Sequence, residues 1–124
     1  MKSREGLMRL KRFQVEEKRR QVAQIEAMIA EFERMAKELN DQILSEQEKS
    51  GIHDAGHFAY PTFAKAASQR RDNLTASASE LKGQLAAAKA ECDEAIADLE
   101  KIEAIAERDH AHDKGHHKHE ARAS

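Results

Sequence analysis

The side chains best suited to chemistry crowd the C-terminal end. His110, His112, His116, His117 and His119 fall within ten residues, with Asp109 and Asp113 among them. Imidazole suits zinc, nickel and copper, and closely spaced histidines on a flexible segment can wrap an ion. No spacing here matches a defined site, and no rigid shell would select an ion. Adventitious metal binding is therefore the expectation, and no metal or cofactor site is assigned. His53 and His57 lie in a glycine-containing stretch and read as cap and loop residues. The one cysteine, Cys92, falls at heptad spacing between Leu85 and Leu99 and reads as a small buried apolar residue. The phosphate-loop, dinucleotide and nucleophile-elbow glycine patterns do not occur. Acidic residues are plentiful, but on two paired helices they face water without a pocket that could shift their pKa. No catalytic residue is assigned, and an enzyme is not expected.

Two other clusters point to binding. Phe58, Tyr60 and Phe63 are three of the five aromatics and lie within six residues. They form either a plug closing the end of a coiled coil or an exposed docking patch, since exposed aromatics anchor partners. Near the N-terminus stand Arg4, Arg9, Lys11 and Arg12, followed by Lys18, Arg19 and Arg20. Nucleic acid is not the expected partner, because residues 91–107 are acidic and should lie alongside, cancelling the field. The formal net charge of −2 agrees with that.

The elements that must position these residues are helices. Ala, Glu, Lys, Leu and Arg make up more than half of the 124 residues, the mark of long helices or coiled coil. One proline, five glycines and no tryptophan argue against a sandwich or barrel. No apolar run approaches the length of a membrane span, the first residues do not read as a signal peptide, and a single cysteine forms no internal disulfide. A soluble, cytoplasmic chain is expected. Residues 51–61 hold two glycines and the only proline and read as a turn between helix one, about 3–50, and helix two, about 61–107. Residues 108–124 lack an apolar stripe and read as a disordered, His-rich tail.

Both helices carry heptads. In the first, Met8, Val15, Val22, Ile29, Ala36 and Ile43 share one position, while Lys11, Lys18, Ile25, Phe32 and Leu39 share the other. Leu7, Met28 and Met35 are expected to widen this face. In the second, Ala67, Leu74, Leu81, Ala88, Ala95 and Ile102 alternate with Ala64, Arg71, Ala78, Leu85, Cys92, Leu99 and Ala106, with Arg71 as the one polar break. Ser3 is a candidate cap for the first helix, Gly51 suits its C′ stop and Pro61 suits the first turn of the second. Charge fixes the pairing. Residues 1–20 carry eight basic and three acidic side chains, and residues 88–107 two basic and seven acidic. Folding back sets unlike charges together, whereas parallel self-pairing sets like against like. The fold class is therefore all-α, an antiparallel two-helix coiled-coil hairpin with a disordered C-terminal tail, expected as a monomer.

Three segments carry a resemblance to a known family. They are Leu7-Met-Arg-Leu-Lys-Arg-Phe-Gln-Val-Glu-Glu-Lys-Arg-Arg-Gln-Val-Ala23, the turn His57-Phe-Ala-Tyr-Pro-Thr-Phe63, and Gln69-Arg-Arg-Asp-Asn-Leu74. Over residues 1 to about 107 the chain resembles the flagellar export protein FliJ family, in its alphaproteobacterial form; the His-rich tail lies outside the likeness. The resemblance implies a non-enzymatic part of the flagellar type III export apparatus, similar in build to the shaft of a rotary ATPase. It implies three partners: the export ATPase hexamer, whose ring the hairpin enters and stimulates, the export gate membrane protein, and export chaperones. It further implies a cytoplasmic location, peripheral at the cytoplasmic face of the inner membrane. Arg4, Arg9, Lys11 and Arg12 are then expected at the ATPase end, and Phe58, Tyr60 and Phe63 at the other. A general coiled-coil adaptor or holdase chaperone, and a metal-buffering protein acting through the tail, remain as alternatives.

Overall fold

The computed structural model describes the backbone of residues 2–123 and the side chains of residues 3–113. It contains two helices, α1 (Lys2–Ser50) and α2 (Thr62–Ala123), paired as an antiparallel hairpin. No proline interrupts either helix. The apolar residues return every three or four positions on each, so pairing buries one stripe from both.

The hairpin comprises two compact units. The turn-side unit is Ala23–Ala87. Ile29, Ile43, Ala64, Ala67, Ala78 and Leu81 are buried there, while Ile25, Phe32, Leu39, Leu74 and Leu85 are half-buried. Its tightest cluster is Ile43 with Ala64 and Ala67, against which Leu39 and Tyr60 pack. Two cross-helix contacts show the direction of pairing: Lys82 Nζ lies 2.9 Å from Glu33, and Arg71 donates to Asn40 Oδ1 at 2.8 Å. Arg71, the expected break in the seam, is thereby half-buried and satisfied, and it also meets Asp72. A side chain of this length can lay its stem along apolar surface, and here the guanidinium finds its partners in Asn40 and Asp72.

The helix-termini unit joins the first 22 residues to the chain from Ala88 onward. Val15, Ala88 and Cys92 are buried, and Met8, Val22, Ala95, Leu99, Ile102 and Ala106 are half-buried. Lys18 bonds to Glu91 at 2.9 Å and Arg4 to Asp109 at 2.6 Å, again as rising numbers on α1 opposite falling numbers on α2. Arg4 and Asp109 occupy the same heptad positions as Lys11 and Ile102, one repeat further out, so an ion pair ends the apolar seam.

Three expectations are corrected. Ser3 lies inside α1, which begins at Lys2, so it is not the cap. Leu7 and Met28 stand exposed rather than widening the buried face, because two helices have no third element to cover their flanks; Met35 is half-buried. The helix end expected near residue 107 moves outward, since α2 runs on to Ala123. Residues 108–113 are helical, not disordered. The heptad carries on through Asp109, and its bond to Arg4 gives this turn a tertiary contact that composition alone does not reveal. The expected disorder from 114 onward, with His116, His117 and His119, falls outside the described side chains.

Candidate partner-binding surfaces

The turn is built by short-range hydrogen bonds. At Gly51, φ is +74°, a backbone shape that costs glycine nothing. Its N–H donates to the Gln47 carbonyl at 2.9 Å, the single bond of an αL stop. Ser50 Oγ accepts from the Ile52 N–H at 3.1 Å, and Asp54 Oδ1 from the Gly56 N–H at 2.9 Å, an Asx turn. His57 Nδ1 accepts from the Ala59 N–H at 3.0 Å, so His57 holds the loop, which matches its expected role. The Pro61 carbonyl receives the Lys65 N–H at 3.1 Å and thus starts α2.

This scaffold divides the aromatic cluster. Tyr60 is half-buried on Ile43, Ala64 and Ala67, and its hydroxyl accepts from Gln47 Nε2 at 2.9 Å. Phe58 is 97% exposed, and its only ring contact among the described residues is a stack on His57, 4.7 Å between centroids. Phe63, in the first turn of α2, is also exposed. The sequence left a plug and a docking patch as alternatives; Tyr60 packs as a plug, and the two phenylalanines lie outside it, facing solvent.

The N-terminal cations divide as well. Arg4 is held by Asp109. Lys11 is half-buried at a seam position, and Arg9 and Arg12 are exposed. Among the described residues no ion pair engages Arg9, Lys11 or Arg12, while Arg20 is engaged by Glu17 and Lys18 by Glu91. The acidic stretch of α2 thus lies beside the basic stretch of α1 and neutralises only part of it.

Sequence reasoning missed Leu10 and Phe13, which are 51% and 56% exposed. With Leu7 they recur every third residue, so helical geometry aligns them as one oblique row. Their signal was present in the sequence: both lie off the heptad seam.

Among the described residues the titrations displaced from their ordinary values belong to Glu31, held low by its hydrogen bonds from Arg34, and to Arg34, held high by Glu31 and then Glu38. All three side chains are exposed on α1, so the trio is a helix-surface ladder. Among the described residues no group of three His, Cys, Asp or Glu is placed to hold a metal, and no helix is long and apolar enough to cross a membrane. No family model, characterised protein or solved structure matches the chain.

Proposed function

We propose that the hairpin is a non-enzymatic stalk and regulatory component of the flagellar type III protein export apparatus. In this reading the helix-termini unit enters the ring of the export ATPase hexamer and stimulates it. The turn meets the export gate membrane protein and export chaperones. The chain then works at the cytoplasmic face of the inner membrane through its partners, without a span of its own. The observation that carries the reading is the partition of the exposed surface. One unit offers cations that no ion pair among the described residues engages, and the other offers solvent-facing phenylalanines on a bonded turn. Two of the three segments quoted above for the family resemblance, Leu7–Ala23 and His57–Phe63, carry these surfaces, which adds the export setting to an architecture that many adaptors share.

The two surfaces differ in physics. Contacts through Arg9 and Arg12 are screened by salt and raise encounter rate more than affinity. Contacts through Phe58 and Phe63 are drier and respond little to salt. Replacing Arg9→Glu with Arg12→Glu should abolish stimulation of the ATPase while gate and chaperone binding persist. Replacing Phe58→Ser with Phe63→Ser should do the reverse; Tyr60 stays in place because it packs in the core. Damage to the same single interaction by both pairs, or no effect of either pair on export, overturns the proposal.

A further inference from the structure

We infer that α2 carries a transition-metal site built on His116 and its imidazole neighbours one turn away, His112 and His119, for zinc, copper or nickel as the divalent ion. The site is independent of the export reading and needs no partner protein. Histidines on a flexible segment bind metal only adventitiously. The backbone of α2, however, runs as a helix to Ala123, and a helix fixes which imidazoles can share an ion. Positions 116, 117 and 119 are placed here by that backbone register. At about 100° per residue, positions 112, 116 and 119 fall within an arc of about 60°. His112 and His116 are an i,i+4 pair, and His116 and His119 an i,i+3 pair. At these spacings Cβ atoms on a helix stand about 5–6 Å apart, close enough for two imidazole nitrogens to meet one ion at about 2.0–2.1 Å. His112 and His119 are separated by about 10.5 Å along the axis, too far to close on one ion without His116. His116 is therefore the shared ligand.

The same register sets the other two histidines apart. His110 and His117 lie roughly 160° and 140° round the helix from His112, and neither has an imidazole three or four residues away. His110 instead lines a cleft with Asp113 and with Arg4, Glu5 and Met8 of α1. Asp109, one turn before His112, is held by Arg4 at 2.6 Å, which leaves imidazole as the donor on this face. Imidazole suits zinc, copper and nickel, whereas magnesium and calcium take oxygen ligands. Water completes the coordination. Binding requires neutral rings, so affinity falls as pH drops through about 6.5.

The test is calorimetric titration of the full chain with zinc, repeated with magnesium. Zinc should bind at about one ion per chain, since both pairs share His116, and magnesium should not bind. His116→Ala should weaken zinc binding about tenfold or more, because loss of even an outer-shell partner of a metal ligand costs that much. His112→Ala with His119→Ala, which strands His116, should weaken it as much. His112→Ala alone should cost less, because the His116 and His119 pair remains. His110→Ala with His117→Ala should leave the affinity within about twofold, because neither has an imidazole neighbour on the helix, although it removes more imidazoles than His116→Ala does. A loss that follows only the number of histidines removed, equal for His116→Ala and His117→Ala, means an adventitious ion only and overturns the inference. Failure of zinc to bind, several zinc ions of similar affinity, or equal binding of magnesium overturns it as well.

Discussion

Ile43 and Leu44 are adjacent, similar in volume and opposite in environment. Ile43 is 3% exposed, inside the cluster with Ala64 and Ala67, and Leu44 is 52% exposed. Ile43→Ala removes three carbons from an apolar contact, about 2.5 kcal/mol at roughly 0.8 per methylene. A cavity term adds to that, because the facing residues are alanines whose short side chains cannot move in to fill the space. The expected loss is about 3–4 kcal/mol, a large part of the roughly 5–15 kcal/mol that folded domains possess. Leu44→Ala removes the same number of carbons from a side chain already half in water and should change stability by about 0.5 kcal/mol or less. Urea unfolding followed by circular dichroism measures both through the midpoint, with the slope checking that the unfolded state is unchanged. A cost below about 1 kcal/mol for Ile43→Ala, or equal costs for the two variants, would falsify the register that places Ile43 against α2.

Two further outcomes bear on pairing and on charge. Spin labels at Glu16 and Glu94, both exposed near the Lys18–Glu91 pair, should report near neighbours within one molecule, as helices packed about 8–10 Å apart require; a separation of several tens of ångströms rules out the hairpin. Glu31, whose carboxyl is held low chiefly by its hydrogen bonds from Arg34, stabilises the folded chain above the ordinary carboxylate range, and that contribution fades as pH falls through its depressed folded value. Glu31→Gln should therefore be slightly less stable than the unaltered chain at neutral pH and indistinguishable from it in acid. A gap that widens on acidification contradicts the assigned pair.

The fold was legible because one period ran through both long segments. Every seam residue expected on α1 and α2, from Met8 to Ala106, is buried or half-buried. Even the polar exceptions obey the pattern: Lys11, Lys18 and Arg71 keep their seam positions and lead their charged heads to the edge, Lys18 to Glu91 and Arg71 to Asn40. The antiparallel direction followed from net charge alone, and the Lys18–Glu91 and Glu33–Lys82 contacts realise it within their respective units. The end of α2 was not legible. A charged seam residue such as Asp109 reads as the end of the apolar stripe, and only the partner Arg4 on the other helix turns it into one more repeat.

Candidate binding surfaces were less legible, for a reason specific to thin folds. In a thick domain an exposed Leu or Phe is exceptional; in a two-helix hairpin no described side chain larger than alanine is fully buried, so exposure by itself distinguishes little. What distinguishes a surface here is exposure that the seam does not require. Tyr60 falls within the aromatic cluster but is spent on closing the core, and Arg4 falls within the basic cluster but is spent on Asp109. Subtracting such residues leaves Phe58 and Phe63 at the turn, and Arg9, Leu10, Arg12 and Phe13 on α1. These side chains do no folding work that the hairpin needs. Their substitution should therefore separate binding from stability, a separation that Ile43, buried at the seam, cannot provide.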